Sequence, residues 1–296
     1  MPLNKPTGVS LSMSPRSINM TGFSVNNYAP KGTLVAIGGN EDKDNDIEVI
    51  REVVEIIGFE KAIIEVITTA SEIPEETGKR YLDAFDIIGV KEKNAMHIKT
   101  REEAEKREYK KRIERANIVY FTGGDQLRIT STLGGTAVLD AIIEKYYHEK
   151  CVIAGTSAGA SALSETMIYE GESQEALTKG TVQITAGIGL VTNVVIDSHF
   201  IKRGRFSRLM EVVTSNPGHI GLGLGEDTGV IIREGHVLEA IGNGLIVIFD
   251  GQKINYSNVS KIKMREAIAV ENVIVHTLVK GHGYDLHTRK YLSPDN

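Results

Sequence analysis

The chain has 296 residues, of which 41% are hydrophobic and 25% are charged, so it is long enough for one large or two modest domains with a buried core. Its formal net charge of −5 argues against nucleic acid as a partner, because phosphate backbones are bound by an excess of lysine and arginine. No window approaches the roughly 18 consecutive apolar residues of a membrane-spanning helix, and we expect no membrane partner.

The N-terminal segment, residues 1–31, is rich in serine, proline and asparagine and lacks the apolar central region of a signal peptide. It is predicted to form an irregular arm in front of a single α/β catalytic domain over residues 32–296. Cys151 is the only cysteine, so an internal disulfide cannot form. This is compatible with the reducing cytoplasm, where we expect the protein to lie.

Short β-branched runs alternate with longer amphipathic stretches from Gly32 onward, which predicts βαβ units around a mostly parallel sheet. The predicted strands cover residues 33–39, 62–68, a weaker segment near His97, 117–124 and 152–154. The predicted helices cover residues 47–57, 80–88, a solvated and highly charged stretch over 101–115, and 137–150. A strand over 194–196 precedes a helix over about 206–213, and short strands with glycine turns follow. They predict an antiparallel C-terminal extension of one α/β sandwich.

The strongest local signal is the pentapeptide Gly155-Thr156-Ser157-Ala158-Gly159, which follows a buried run and precedes a helix start rich in small residues. The pattern G-x-S-x-G allows a sharp turn from which a serine hydroxyl projects, and a helix N-terminus favours negative charge above it. Ser157 is therefore the predicted nucleophile. The alternative is a glycine-rich turn that binds phosphate or only permits close packing.

A serine nucleophile needs a base and a group that orients the base. Of the eight histidines, His199 is the best candidate, because it lies just beyond the strand over 194–196. The orienting carboxylate is Asp197, Glu226 or Asp227, and sequence spacing does not choose between them. The order serine, histidine, acid differs from that of α/β-hydrolases, in which the acid precedes the histidine.

An oxyanion hole requires two aligned donors, and the amide of Ala158 is one natural choice. Gly124, in the turn Thr122-Gly123-Gly124-Asp125-Gln126, is the candidate for the second, although this turn also has the composition of a strand exit and helix cap.

The segment from Lys202 to Arg208 places several cations before a predicted helix, which costs about 0.3–1 kcal/mol per group unless an anion joins them. This pattern predicts an anionic ligand. The alternative is a solvated basic turn on an acidic protein.

Five segments in this order resemble the cyanophycinase family: GTLVAIGGNEDK, FTGGDQLRITSTLGGT, IAGTSAGASALSETMI, IDSHFIKRGRFSRL and GLGEDTG. The likeness runs over about residues 32–250. The family is similar to peptidase E and more distantly to class I glutamine amidotransferases, which implies a flavodoxin-like three-layer sandwich. It also implies hydrolysis of cyanophycin, a poly-aspartate whose β-carboxylates carry arginine, with release of β-Asp-Arg dipeptides.

The resemblance implies Ser157 as nucleophile, His199 as base and Glu226 as the orienting acid. The residues that match the family's substrate pocket are Gln126, Asp197, Ser198, Arg203, Arg205 and Arg208. Ser198 stands where the family often has glutamine, so one contact with the substrate is expected to be shorter. The arginines suit a carboxylate-rich polymer end, and Asp197 suits a substrate guanidinium.

The resemblance further implies a homodimer. The two other functions considered are a peptidase E-like dipeptidase for small aspartyl peptides and a binding protein without catalysis. No set of residues has metal-ligand spacing, and neither a dinucleotide-binding nor a P-loop fingerprint occurs, so we expect no metal and no cofactor.

Overall fold

A computed structural model describes residues 29–171 and 177–294. The predicted arm over residues 1–31 lies outside these ranges except for its last three residues, and the single domain over 32–296 stays a prediction. Within the described ranges, no helix combines the length and the apolar character needed to cross a membrane.

The strands and helices alternate through the first half of the chain and give way to strands in the second half. The first five strands are β1 Thr33–Ile37, β2 Ile63–Ile67, β3 Glu92–Met96, β4 Ile118–Phe121 and β5 Val152–Thr156. The next seven are β6 Thr166–Gly171, β7 Val182–Ala186, β8 Val194–Asp197, β9 Ile220–Leu224, β10 Thr228–Arg233, β11 Val237–Gly242 and β12 Ile246–Asp250. The last five are β13 Tyr256–Ser257, β14 Val270–Glu271, β15 Ile274–Leu278, β16 Gly283–Asp285 and β17 Lys290–Leu292. The helices are α1 Glu48–Glu55, α2 Pro74–Ile87, α3 Arg101–Ala104, α4 Arg107–Arg115, α5 Gln126–Leu133, α6 Ala137–His148, α7 Ala158–Ala162 and α8 Phe206–Ser215.

The central sheet joins a parallel half to an antiparallel half. Strands β1 to β5 are parallel and lie in the order β1-β5-β4-β2-β3. Beyond β1, the antiparallel strands β10, β11, β16 and β17 continue the sheet. The predicted α/β class, with a mostly parallel centre and antiparallel C-terminal strands, is confirmed.

A second sheet has the order β15-β12-β9-β8, so the C-terminal strands do not all extend the central sheet as the sequence suggested. Strands β8 and β9 pair in parallel, and the other pairs in this sheet are antiparallel. The sequence does not reveal this division, because both sets of strands have the same glycine-punctuated pattern.

Alternation along β1 shows how the layers form. Val35 and Ile37 pack with α1 and α2 on one face of the central sheet, whereas Leu34 and Ala36 face the opposite cluster. That cluster also contains side chains of α5, α6, α7 and the second sheet. Helix α8 covers the outer face of the second sheet through Leu209 and Val213.

Two predicted helices differ from the structure, and a third helix was not predicted. Helix α2 begins at Pro74 rather than near residue 80, because proline suits a first helical turn and two glutamates follow it there. The charged stretch 101–115 is not one solvated helix: it is divided into α3 and α4, and Ile113 is buried. Helix α5, capped by Asp125, was not predicted.

Candidate active site

Ser157 lies on a strained turn between β5 and α7. Its φ of 52° and ψ of −113° place a non-glycine residue in a region that is costly unless the surrounding structure enforces it. A Cβ on Gly155 would lie 2.5 Å from the carbonyl carbon of Gly159, and one on Gly159 would lie 2.4 Å from the Phe121 oxygen. Both glycines of the G-x-S-x-G pattern are therefore required by packing.

His199 reaches Ser157 from the end of β8. Ser157 Oγ is 2.9 Å from His199 Nε2, and His199 Nδ1 is 2.8 Å from Glu226 Oε1. The backbone N–H of His199 donates to the Gly38 oxygen at 2.8 Å. A Cβ on Gly39 would lie 2.5 Å from the imidazole, so only glycine leaves room for the ring.

Of the three candidate carboxylates, Glu226 is the one that contacts His199. Asp197 faces two arginines instead, and Asp227 Oδ1 accepts the backbone N–H of Asp42 at 3.0 Å. Glu226 follows β9, a strand of the second sheet that pairs directly with the strand preceding His199. The hydrogen-bonded chain is thus assembled across the pair β8 and β9.

The electrostatics of this chain suit a neutral base beside an ionised acid. Burial lowers the pKa of His199, and the cations Arg203 and Arg205 lower it further, against an opposing contribution from Glu226. Burial raises the pKa of Glu226, but hydrogen bonds from His199 and Lys202 outweigh it and leave that pKa lowered. Near neutral pH, His199 Nε2 is therefore free to accept a proton from the serine hydroxyl.

The turn after β4 lies against the nucleophile. A Cβ on Gly123 would be 3.3 Å from Ser157 Cβ, so Gly123 is the glycine adjacent to the serine. Gly124 has a φ of 142° and packs on the Ala70 carbonyl, where a Cβ would lie 2.0 Å from the oxygen. Asp125 caps α5 by accepting the Leu127 N–H at 2.8 Å. The turn is a strand exit and helix cap that also borders Ser157, and the oxyanion role of Gly124 and Ala158 stays a prediction.

Asp197 is buried, with 1% of its surface exposed, and two arginines of its own chain occupy its carboxylate. Arg205 Nη1 donates to Oδ1 at 3.1 Å, and Arg208 Nε donates to Oδ2 at 2.6 Å. Arg208 Nη2 also donates to Oδ1. Burial lowers the pKa of Arg205 to about 10, so the guanidinium remains charged at neutral pH. The predicted conflict of cations at the start of α8 is thus partly relieved within the chain.

The other three residues of the predicted substrate pocket have different environments. Arg203 is exposed beside His199, whereas Ser198 is buried and its carbonyl accepts Arg205 Nη1 at 2.8 Å. Gln126 Nε2 donates to the carbonyl oxygens of Ile168 and Tyr169 at 3.0 and 3.2 Å, which ties the start of α5 to β6.

Sequence reasoning assigned no role to Glu41, although the residue lies in the quoted segment GTLVAIGGNEDK. Its buried carboxylate accepts hydrogen bonds from the hydroxyls of Thr156 at 2.7 Å, Tyr120 at 3.1 Å and Tyr81. Lys43 Nζ lies 3.2 Å from the same carboxylate. Burial raises the pKa of Glu41, but Lys43, Tyr81 and Thr156 together lower it. The signal available was a carboxylate just after a parallel strand, at the edge where sites form.

Among the residues that the structure describes, no group of three or more His, Cys, Asp or Glu side chains is placed to hold a metal ion. Cys151 is buried, and burial raises the pKa of its thiol to about 11.

Comparisons with known proteins agree with one another. The model of peptidase family S51 matches residues 34–240. A cyanophycinase from Geminocystis herdmanii is 32% identical over 264 residues, covering 89% of this chain and 96% of that protein. A cyanophycinase from Thermosynechococcus vestitus is 34% identical over 260 residues, covering 88% of this chain and 81% of that protein. A peptidase from an acI-B1 actinobacterium, known from a crystal structure, has a TM-score of 0.65 at 21% identity over 87% of this chain and 98% of its own, which shows a shared fold.

Proposed function

The chain belongs to peptidase family S51, and we propose that it acts as a cyanophycinase, a serine exopeptidase that hydrolyses the poly-aspartate backbone of cyanophycin and releases β-Asp-Arg dipeptides. The identity of 32% and 34% to two cyanophycinases over most of the chain supports the substrate. The observation that carries the reaction is the hydrogen-bonded chain from Ser157 through His199 to Glu226.

In the proposed mechanism, Ser157 Oγ attacks a backbone aspartyl carbonyl while His199 Nε2 takes the hydroxyl proton. The carbon–nitrogen bond then breaks as His199 returns that proton to the leaving amine, and an acyl-serine ester remains. Water attacks the ester with His199 again acting as base, which regenerates the serine. Glu226 holds the Nδ1–H tautomer and stabilises the imidazolium that forms in each half-reaction.

Negative charge develops on the carbonyl oxygen during both attacks. We propose the backbone amides of Ala158 and Gly124 as the donors that stabilise it. Two observations support this choice: Ala158 directly follows the nucleophile, and the turn that contains Gly124 borders Ser157 through Gly123.

The substrate end is proposed to lie on the basic segment beside His199. One carboxylate, Asp197, faces the two guanidiniums of Arg205 and Arg208, so a net positive charge remains for substrate carboxylates. Arg203 adds an exposed cation at the same place. A substrate guanidinium at Asp197, which the chemistry of a carboxylate suggested, has to displace one of these arginines, so we propose that Asp197 acts mainly by orienting them. Gln126 is proposed to shape this pocket through its hydrogen bonds to β6, and Ser198 through the hydrogen bond that its carbonyl accepts from Arg205.

We also propose that the enzyme is a homodimer, which the resemblance supports. A cytoplasmic location is proposed as well, and the single buried cysteine is compatible with it. Light scattering of the purified chain tests the assembly: a mass of one chain contradicts the dimer.

The test of the function is incubation of the purified full chain with insoluble cyanophycin, with clearing followed and products identified by mass spectrometry. Release of β-Asp-Arg is expected, and Ser157→Ala is expected to abolish it while leaving the circular dichroism spectrum unchanged. A panel of α-aspartyl dipeptides is assayed in parallel. Cleavage of these dipeptides without clearing of the polymer would assign the chain to the peptidase E type, and activity retained by Ser157→Ala would exclude the serine mechanism.

A further inference from the structure

A pocket of about 190 Å³ opens near Ser157, where it is bordered by the turn after β4. Residues of α2 form one wall, Lys43 contributes a second, and Gly123 borders the pocket at its inner end. A Cβ on Gly123 would be 3.3 Å from Ser157 Cβ, so the pocket begins next to the serine.

The order of strands separates this pocket from His199. Ser157 directly follows β5, which lies between β1 and β4 in the central sheet. His199 packs on Gly39 after β1, whereas Gly123 follows β4. His199 and the Gly123 end of the pocket therefore flank the serine from opposite sides, while Lys43, which follows β1, closes the pocket elsewhere.

The inner wall of the pocket is fixed by buried contacts. Tyr81 and Lys43 both line the pocket, and both bind the buried carboxylate of Glu41. Glu41 in turn accepts the hydroxyl of Thr156, the residue before the nucleophile. This wall and the turn that carries Ser157 are thus held by one carboxylate.

The outer rim carries two charges of opposite sign. Glu76 and Arg80 are exposed and lie four residues apart on α2, and both line the pocket. In the part of the chain that the structure describes, neither forms an ion pair, although several exposed charges around them do. Both groups are therefore available to a ligand that carries a cation and an anion.

We propose that this pocket is a substrate subsite for an arginyl unit of the polymer on the acyl side of the cleaved bond, an inference that rests on the proposed function. Each unit presents a guanidinium and the free α-carboxylate of its arginine, and these match Glu76 and Arg80 respectively. The acyl side follows from the chemistry: the leaving amine receives its proton from His199, so the leaving dipeptide lies on the His199 side of Ser157. The acyl portion then extends toward Gly123.

The test uses two soluble substrates with the same leaving β-Asp-Arg unit. In one, the acyl-side aspartate carries β-linked arginine; in the other, it is unmodified. The wild-type chain is expected to favour the first substrate in kcat/KM. Glu76→Gln and Arg80→Gln are each expected to reduce that preference about five-fold, as for partly exposed charged hydrogen bonds. Lys79→Gln is the matched control, because Lys79 lies on the same helix outside the pocket and pairs with Asp83; it is expected to change nothing.

The same substitutions in a Ser157→Ala background test the pocket without turnover. Calorimetric binding of the arginyl substrate is expected to weaken about five-fold for Glu76→Gln and for Arg80→Gln, and not for Lys79→Gln. The subsite would be overturned if Glu76→Gln and Arg80→Gln both kept the wild-type preference for the arginyl substrate and bound it as tightly as the Ser157→Ala chain alone. If the unsubstituted chain cleaves neither substrate but binding depends on Glu76 and Arg80, the proposed function fails, and the pocket remains a binding site for the arginyl unit with no assignment to the acyl side.

Discussion

Two buried carboxylates lie near the chain of Ser157, His199 and Glu226, and their surroundings differ. Glu41, 3% exposed, accepts three hydroxyl groups and has one cation, Lys43, beside it. Asp197, 1% exposed, is surrounded by the guanidiniums of Arg205 and Arg208. The first belongs to the parallel half of the central sheet, and the second ends β8 in the second sheet.

Burial of these two similar groups has different consequences. Around Glu41 the charges balance, since one carboxylate faces one ammonium, and the remaining partners are neutral hydroxyls that fix geometry. Around Asp197 the positive charges exceed the negative one, which leaves a basic surface next to His199. One carboxylate therefore organises the turn of the serine, whereas the other orients cations that can meet an anionic substrate.

The largest effect on stability is expected for Asp197→Asn. Arg205 and Arg208 have only 14% and 7% of their side-chain surface exposed, so removal of the carboxylate charge leaves two guanidiniums poorly compensated. We expect a loss of about 3–4 kcal/mol in the free energy of unfolding, measured by urea denaturation. Glu239→Gln, which breaks the exposed pair with Arg233, is the control and is expected to cost below about 1 kcal/mol. An equally small loss for Asp197→Asn would show that the arginines do not need this carboxylate.

Thr156→Val is expected to slow the reaction of Ser157 in addition to destabilising the fold. It removes the 2.7 Å hydrogen bond to Glu41, which costs about 1–3 kcal/mol of stability. It also removes the contact that holds position 156, next to Ser157, in place. We expect about a ten-fold lower rate of covalent labelling of the serine by a fluorophosphonate, with recovery in Thr156→Ser.

The matched control for this prediction is Tyr120→Phe, which removes the 3.1 Å bond to the same carboxylate from β4. A similar loss of stability is expected, with labelling within about two-fold of the wild type. If both variants slow labelling equally, Glu41 stabilises the fold without a particular effect on Ser157.

The pH dependence of labelling tests the environment of the base. Only neutral His199 accepts the serine proton, and burial lowers its pKa from the ordinary value of 6.5. The labelling rate is therefore expected to rise with pH through a midpoint below 6.5. Arg203→Gln removes a cation that lowers this pKa, so the midpoint is expected to move to higher pH, most clearly at low salt. A wild-type midpoint above 6.5, or a downward shift in the variant, would contradict this account of the site.

The smallest effect is expected for Lys202→Gln. Lys202 Nζ lies 3.1 Å from Glu226 Oε2, but 70% of the lysine side chain is exposed. Exposed ion pairs contribute little, so stability is expected to change by less than about 1 kcal/mol and the labelling rate by less than about two-fold. A ten-fold loss of labelling would instead make Lys202 a necessary partner of Glu226.

The sequence was most informative where local patterns determine structure. The short apolar run of β1 was enough to predict a strand, the glycines around Ser157 were enough to predict a sharp turn before a helix, and the class of fold followed. Helix α5 was missed because its residues are mixed in character and its only clear signal is the cap at Asp125. The hairpin of β6 and β7 was missed because β7 is largely exposed and lacks clean alternation.

The site was harder to predict, because its contacts join residues far apart in the chain. Spacing alone left Asp197, Glu226 and Asp227 as candidates for the acid. The resemblance selected Glu226, and the pairing of β8 with β9 is what brings this residue to His199. Likewise, nothing in the sequence indicates that Asp197 binds Arg205 and Arg208, or that Glu41 lies beneath Thr156. Such contacts depend on how strands stack, which local patterns do not encode.

The most direct test of the central claim is to react the protein with a fluorophosphonate, with and without soluble cyanophycin, and to map the adduct by peptide mass spectrometry. We expect one adduct, on Ser157, whose formation the polymer slows and which abolishes release of β-Asp-Arg. An adduct elsewhere, or full release of the dipeptide from protein whose Ser157 is completely modified, would contradict a serine peptidase built on Ser157, His199 and Glu226.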